Sequence, residues 1–220
     1  MVLLNGPYWF MSLDSLFNLV YVLITLLIGG LSYKAYKLTE ERKYKYFAVA
    51  FGLMSIAFFV YFTSTILLTT HISSNVTSIL TGFDYAFLVY VFFTMMAYAL
   101  LFITTLKIED HKIRTLILTL MFTLTVVAYQ YYLKFHIAMF AVLFLLTYNF
   151  YDNYLEKKNF NAKLVFISFF LLTCAQLFYL AEIYNGLFYV VAVIMQLVGF
   201  LVLFYMLLRI LNNGREKRKA

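Results

Sequence analysis

The chain has 220 residues, 65% of them hydrophobic and 12% charged, with one proline, one cysteine, a mean hydropathy of +0.88 and a formal net charge of +7. So little charge cannot cover the surface of a water-soluble domain, and a lone Cys174 excludes an intramolecular disulfide. Apolar runs of roughly 18 or more residues recur along nearly the whole length, close to the ~20 that a helix needs to cross a ~30 Å hydrocarbon core, so a polytopic, all-α membrane protein is expected.

The opening MVLLNGPYWFMSLDS has no basic stretch and no small-residue cleavage site, and it does not read as a removable signal peptide. Seven spans follow, at about 15–33, 46–69, 84–106, 114–132, 135–152, 163–181 and 187–209, in one domain over 1–220 with a basic tail at 210–220. The loop after span one carries Lys34, Lys37, Arg42, Lys43 and Lys45; that after span three, Lys107, Lys112 and Arg114; that after span five, Lys157, Lys158 and Lys163. Arg209, Arg215, Lys217, Arg218 and Lys219 follow span seven, so of 17 basic residues only Lys134 falls on the other side. The positive-inside rule then predicts an outer N-terminus and a cytoplasmic C-terminus, in the cell membrane of a prokaryote.

Insertion topology and contact with anionic headgroups, ~1 kcal/mol per basic residue near the surface, account for this charge without nucleic acid. The tail could also dock an acidic partner. Tyr33, Tyr36, Tyr44 and Tyr46 on the inner side, and Trp9, Tyr129, Tyr131, Tyr132 and Tyr184 on the outer, fit interfacial aromatic belts. Asn75-Val76-Thr77 forms an N-x-T sequon on the predicted outer loop, where chance occurrence is the simpler reading.

Spans one and five end alike, LSYKAY from Leu31 and LTYNFY from Leu146, and each continues into an acid followed by lysines. Two parallel three-helix units joined by span four would produce this pattern, an arrangement that resembles the three-plus-one-plus-three plan of sugar-transporting seven-helix carriers. Those carriers use prolines inside their helices, whereas the single proline here is Pro7.

Polar side chains within the spans fall into helical stripes: Asn18, Tyr21, Thr25, Gly29 and Ser32; Thr115, Thr119 and Thr123; Tyr189, Ala192, Gln196 and Gly199. These faces are expected to turn from lipid and pack on other helices. They serve either as hydrogen-bonded glue, or, for Asn18, Gln176 and Gln196, as the lining of a shared cavity for a small ligand.

Three acids, Asp14, Asp84 and Glu182, are placed on the outer side near His71, Gln130, Lys134 and His136. Zinc takes such ligands, but no paired spacing such as HExxH is present, and rim residues or a Lys134 ion pair are the simpler account. No metal or other cofactor is expected. Asp84 and Asp14 are read as acids at the starts of spans three and one, where the helix dipole favours them. Glu182 sits at a helix C-terminal end, where it does not, and is the outer acid most in need of a partner. It bears on function only if it folds inward, toward Asp84, His71 or His136.

A seven-helix bundle with its N-terminus outside is similar to the microbial rhodopsins, and span seven reads QLVGFLVLFYMLLR, but Gln196 stands where their retinal Schiff base needs a lysine. Seven-helix zinc hydrolases of the ceramidase and adiponectin-receptor type need three histidines, and His71, His111 and His136 do not share a side. LTEERKYKYFAVAFGLMSIAFF and QLVGFLVLFYMLLRIL resemble small uncharacterised seven-span proteins of archaea and bacteria, and the seven-span sensory regions that precede histidine kinases. That resemblance implies a receptor-like or signalling module acting through a membrane or cytoplasmic protein partner. The polar stripes and outer acids, with no catalytic constellation among them, point to a non-enzymatic sensor or accessory protein with Asn18, Thr25, Asp84, Gln176, Glu182 and Gln196 as candidate ligand-binding residues. A small-solute carrier is the alternative, and an intramembrane enzyme the third reading, since the acids and histidines form no catalytic constellation.

Overall fold

A backbone in hydrocarbon must satisfy its own hydrogen bonds, and helices do so within one segment. In the computed structural model, which describes residues 6–70, 76–108, 110–128 and 132–219, the chain is all-helical among the described residues. After a single 3-10 turn at Tyr8–Phe10 come α1 (Met11–Thr39), α2 (Arg42–Thr70), α3 (Val76–Thr105), α4 (His111–Ala128), α5 (Tyr132–Lys157), α6 (Phe160–Ala181) and α7 (Leu187–Lys219). Six of them are long and apolar enough to cross a membrane, over Leu13–Thr39, Arg42–Leu67, Asp84–Thr105, Tyr132–Lys157, Phe160–Ala181 and Leu187–Asn212. The chain is therefore a multi-pass membrane protein. The 18-residue α4 is not among the six.

Most helices outrun the apolar runs that announce them. Lysine, arginine and glutamate are good helix formers, so α1 continues through Lys34 and Lys37, and α5 through Asp152 and Glu156. Three helices on the basic side then stop at a residue in the left-handed region, Glu40 (φ 58°), Lys107 (φ 52°) and Lys158 (φ 48°), with the Glu40 amide donating to Tyr36 O and that of Lys158 to Tyr154 O. Asparagines and an aspartate open the next helices: Asn159 Oδ1 accepts from the Ala162 amide at 2.7 Å, Asp110 Oδ1 from Lys112, and Asn185 Oδ1 from Leu187.

Neighbours in sequence are neighbours in space: α1 packs on α2, α2 on α3, α5 on α6 and α6 on α7, with α1 against α7 and α3 against α5 closing the ring. α4 lies outside, against α3 and α5. In the middle of the ring Phe200 of α7 receives Tyr21, Phe51 and Phe58 edge-on, at 5.9, 6.4 and 5.9 Å between ring centroids. Met54, Met95, Leu101, Leu143, Leu146, Phe169, Leu172 and Leu203 complete this dry layer.

Small and hydroxylated residues tie the helices together. Ser55 Oγ donates to Val22 O across α1–α2 at 3.1 Å, and Ser168 Oγ to Gly199 O across α6–α7 at 2.7 Å. Thr173 donates its one hydroxyl proton to Phe169 O, so in the 2.8 Å contact with Thr147 it is Thr147 that donates across α5–α6. The α1 and α7 stripes face the interior as their spacing requires. The α4 stripe does not, since Thr115, Thr119 and Thr123 are exposed and Thr125 is the buried threonine. Thr115 and Thr123 donate instead to carbonyls one turn back, His111 O and Thr119 O, so neither hydroxyl needs another helix.

A Cβ at Gly199 would sit 3.1 Å from Leu172 and 3.2 Å from Ser168 O. Gly199→Val is expected to lower stability by roughly 1–3 kcal/mol in thermal unfolding in detergent. Gly52→Ala, whose added methyl meets nothing within 4 Å, should leave stability unchanged or raise it. Equal effects at the two positions would contradict this α6–α7 approach.

Candidate functional site

The six ring helices surround a cavity of about 50 Å3 at the end of the bundle opposite Lys43, Lys107 and Lys157. Its walls come from the first turns of α1, α5 and α7, the last turns of α6, and the middle of α2 and α3, and α4 contributes nothing. Seven tyrosines and three phenylalanines line it, and their rings share its surface almost equally with hydroxyl, amide and carboxyl groups. The polar lining is a set of hydrogen-bonded pairs. Asp14 accepts from the Tyr189 hydroxyl at 2.8 Å and from Asn18 Nδ2 at 3.2 Å, while the same Asn18 nitrogen donates to Asp14 O at 2.9 Å. Tyr179 donates to Gln196 Oε1 at 3.0 Å, and Tyr21 to Val193 O at 2.6 Å.

His136 lies 2.7 Å, through Nδ1, from Gln176 Oε1. That oxygen can only accept, so Nδ1 carries the hydrogen in this contact. The imidazole is stacked on Tyr179 with centroids 4.5 Å apart and meets the edge of Tyr132 at 4.2 Å. His136 and Tyr132, expected at an outer rim and in an aromatic belt, both line the cavity instead. Tyr132 opens α5 one turn before His136, and that turn faces α3 and α6.

The segment Gly6–Phe10 covers this end of the bundle. Gly6 has a positive φ of 85°, and a Cβ there would come within 2.7 Å of the Tyr189 ring, so only glycine can pass so close. Its amide donates to Glu182 Oε1 at 2.7 Å, and Pro7 lies against Gly186 in the α6–α7 turn. Glu182 is thus half-buried. Its Oε2 lies beside the Tyr132 hydroxyl. Burial pushes the Glu182 carboxyl above its ordinary range, while the Gly6 amide and the Tyr132 hydroxyl, which favour the charged form, pull it partly back.

Of the candidate residues, Asn18, Gln176 and Gln196 meet around the cavity. Thr25 does not: it is fully buried one turn deeper, with its hydroxyl donating to Tyr21 O at 2.6 Å. Asp84 does not either. α3 begins at Val76, so Asp84 lies well inside the helix, exposed and remote from its N-terminal dipole. Glu182 folds toward Gly6 and Tyr132 rather than Asp84. His71, Asn75, Tyr129, Gln130 and Tyr131 lie outside the described residues. Among the described residues no three His, Cys, Asp or Glu side chains are grouped to hold a metal ion. Spacing missed the tyrosines of α2 and α3, because in a chain with 20 tyrosines nothing local separates cavity residues from lipid-facing ones.

At the basic end an open cleft of about 550 Å3 lies between two helix triplets of the ring, α1–α3 and α5–α7. Lys43, Lys107 and Lys157 surround it with Asn153, Asn159 and Asn161, and the buried Asn161 Oδ1 has no hydrogen-bond partner. Cavity and cleft are divided by the dry layer around Phe200.

No protein-family model, curated protein or solved structure matches the chain.

A carboxyl whose folded pKa is raised contributes stability below its unfolded pKa, and that contribution is lost as pH rises through the folded value. Thermal stability is therefore expected to increase on acidification from neutral pH toward the ordinary glutamate range. In Glu182→Gln, whose amide oxygen can still accept from Gly6, that part of the slope should vanish; an unchanged slope would show that Glu182 is not buried as described.

Proposed function

We propose that the chain is a seven-span, receptor-like membrane protein that binds a small ligand in the aromatic cavity and passes its bound state to a protein partner at the basic cleft. The observation that carries this reading is the vertical division: a small cavity of aromatic and polar side chains at one end, a wide lysine-rimmed cleft at the other, and a close-packed aromatic layer between. Helices α6 and α7 touch all three levels, through Gln176 and Gln196, then Ser168 and Gly199, then Val165 and Met206. A ligand that prefers one packing of that pair over another would shift the cleft by its difference in affinity.

The connection of α3 to α5 supports a seventh crossing. α4 follows α3 after five residues and opens with the Arg114 amide on Asp110 O. It ends three residues before α5, whose Phe135 packs on Phe87 and Tyr90, far back along α3. Eighteen helical residues cover ~27 Å, about the depth between those two levels. Leu116, Leu120, Phe122 and Val127 of α4 are exposed, as lipid would require. A crossing α4 also keeps Lys43, Lys107 and Lys157 on one side, which by the positive-inside rule is the cytoplasmic one, with the cavity toward the outside. The membrane is taken to be a prokaryotic cell membrane.

A broad thermal-shift screen on the purified protein tests the cavity. Ligand at about 100 times its Kd should add ~2.7 kcal/mol of stability, and Gln196→Leu should abolish the gain. Crosslinking in native membranes should capture a partner that Lys107→Glu with Lys157→Glu releases. An empty screen together with capture indifferent to those lysines would remove the reading.

A second reading, a small-solute carrier, is favoured by the matched ends of α1 and α5. In both, the L-[ST]-Y-x-x-Y hydroxyl residue is buried (Ser32, Thr147), the first tyrosine is exposed (Tyr33, Tyr148) and the residue after next is buried (Ala35, Phe150). Two such triplets around a cleft open to one side fit a carrier plan. Flux in proteoliposomes that Gln196→Leu abolishes would select this reading, and absence of flux with solutes that do bind would exclude it.

A further inference from the structure

The cavity joins two features that point to one class of ligand. Among the described residues Asp14, 8% exposed, is the only carboxylate in its lining, and no lysine or arginine lines it. The groups that hold Asp14 in place, the Tyr189 hydroxyl and the Asn18 amide, are neutral. Two neutral hydrogen bonds orient a carboxylate without cancelling its charge. Around it the walls are tyrosine and phenylalanine rings, whose negative faces attract a cation and offer nothing to an anion. The Tyr61–Tyr90 pair, 5.1 Å between centroids, and the Tyr179–Tyr189 pair, 5.5 Å, form two of these walls. About 50 Å3 is room for about four non-hydrogen atoms, at the ~10–15 Å3 that one water occupies on the same measure.

From this geometry we propose that the ligand is a small organic cation of the alkylammonium class, its charge set against the Asp14 carboxylate and its methyl groups against the aromatic walls. The inference rests on the cavity's being the ligand site. A metal ion would leave the aromatic walls without a role, and one carboxylate among neutral hydroxyls and amides is a poor charge match for a divalent ion. A neutral ligand would leave the charge of Asp14 unanswered.

The test uses the full chain in nanodiscs and three probes of four non-hydrogen atoms each: trimethylammonium, neutral isopropyl alcohol and anionic acetate, followed by ligand NMR and calorimetry. Trimethylammonium is expected to bind and acetate not to. Asp14→Asn, which keeps the size of the side chain and an oxygen for Tyr189, should weaken the cation at least about tenfold. Tyr90→Leu should weaken it by about tenfold, and Tyr90→Phe, which keeps the ring, should recover most of that loss. Thermal unfolding of each variant separates loss of the site from loss of the fold; if Asp14→Asn does not fold, the Tyr90 pair carries the test. Isopropyl alcohol or acetate binding in place of the cation, with sensitivity to Gln196→Leu, overturns the inference and leaves the ligand-binding reading standing. No binding of any of the three also overturns it, whereas the ligand-binding reading falls with an empty broad screen.

Discussion

A polar group in the interior of a membrane-crossing bundle has no water to fall back on, so a buried hydroxyl, amide or carboxyl is costly unless it finds a partner in protein, and few among the described residues, such as Ser32 Oγ and Asn161 Oδ1, go without one. The structure answers in three ways. Hydroxyls on outward faces, as at Thr115 and Thr123, return to their own helix. Those at helix contacts, Ser55, Thr147 and Ser168, donate across to a neighbour and so fix which helices touch. The longer side chains, Asp14, Asn18, Gln176, His136 and Gln196, can do neither alone and gather at one level, where they satisfy one another with help from tyrosines.

That gathering explains why the cavity exists and where it lies. Amides and carboxyls need more partners than a close-packed helix pair supplies, so the helices stand slightly apart where these side chains meet, and large rings bridge the gap. One level deeper the polar groups shrink to serine, threonine and glycine, the helices close up, and Phe200 fills the axis against Tyr21, Phe51 and Phe58. At the far end the triplets part again around Lys43, Lys107 and Lys157, whose charges favour water or an acidic partner over one another. The cavity and the cleft can influence each other only through the packed layer, which is the physical content of a receptor reading and equally of a carrier held in one of its states.

The terminal segment matters out of proportion to its length. Gly6, by lacking a side chain, lies against Tyr189 and brings its amide to Glu182, so an acid at an unfavourable helix end acquires a donor from the far end of the sequence. Glu182 is therefore part of the cover of the cavity. Its partner comes from 176 positions away, which no local pattern of charges could indicate.

What the chain determined by itself was everything that depends on local chemistry. Apolar length set the helices, though their ends overran because charged helix formers extend them beyond the hydrocarbon. Period set the inward faces of α1 and α7, and with them Asn18 and Gln196. Tertiary structure decided the rest. A stripe of threonines looks the same whether it faces a helix or lipid, since each hydroxyl can satisfy itself, and on α4 it faces outward. Asp84 looked like a helix start only because the apolar run begins there, while the helix itself begins at Val76. Asp14 and His136 looked like rim residues because they stand near the ends of spans; they are interior because the Gly6–Phe10 segment and the long aromatic side chains of six helices close over them, and closure of that kind is a property of the assembled bundle.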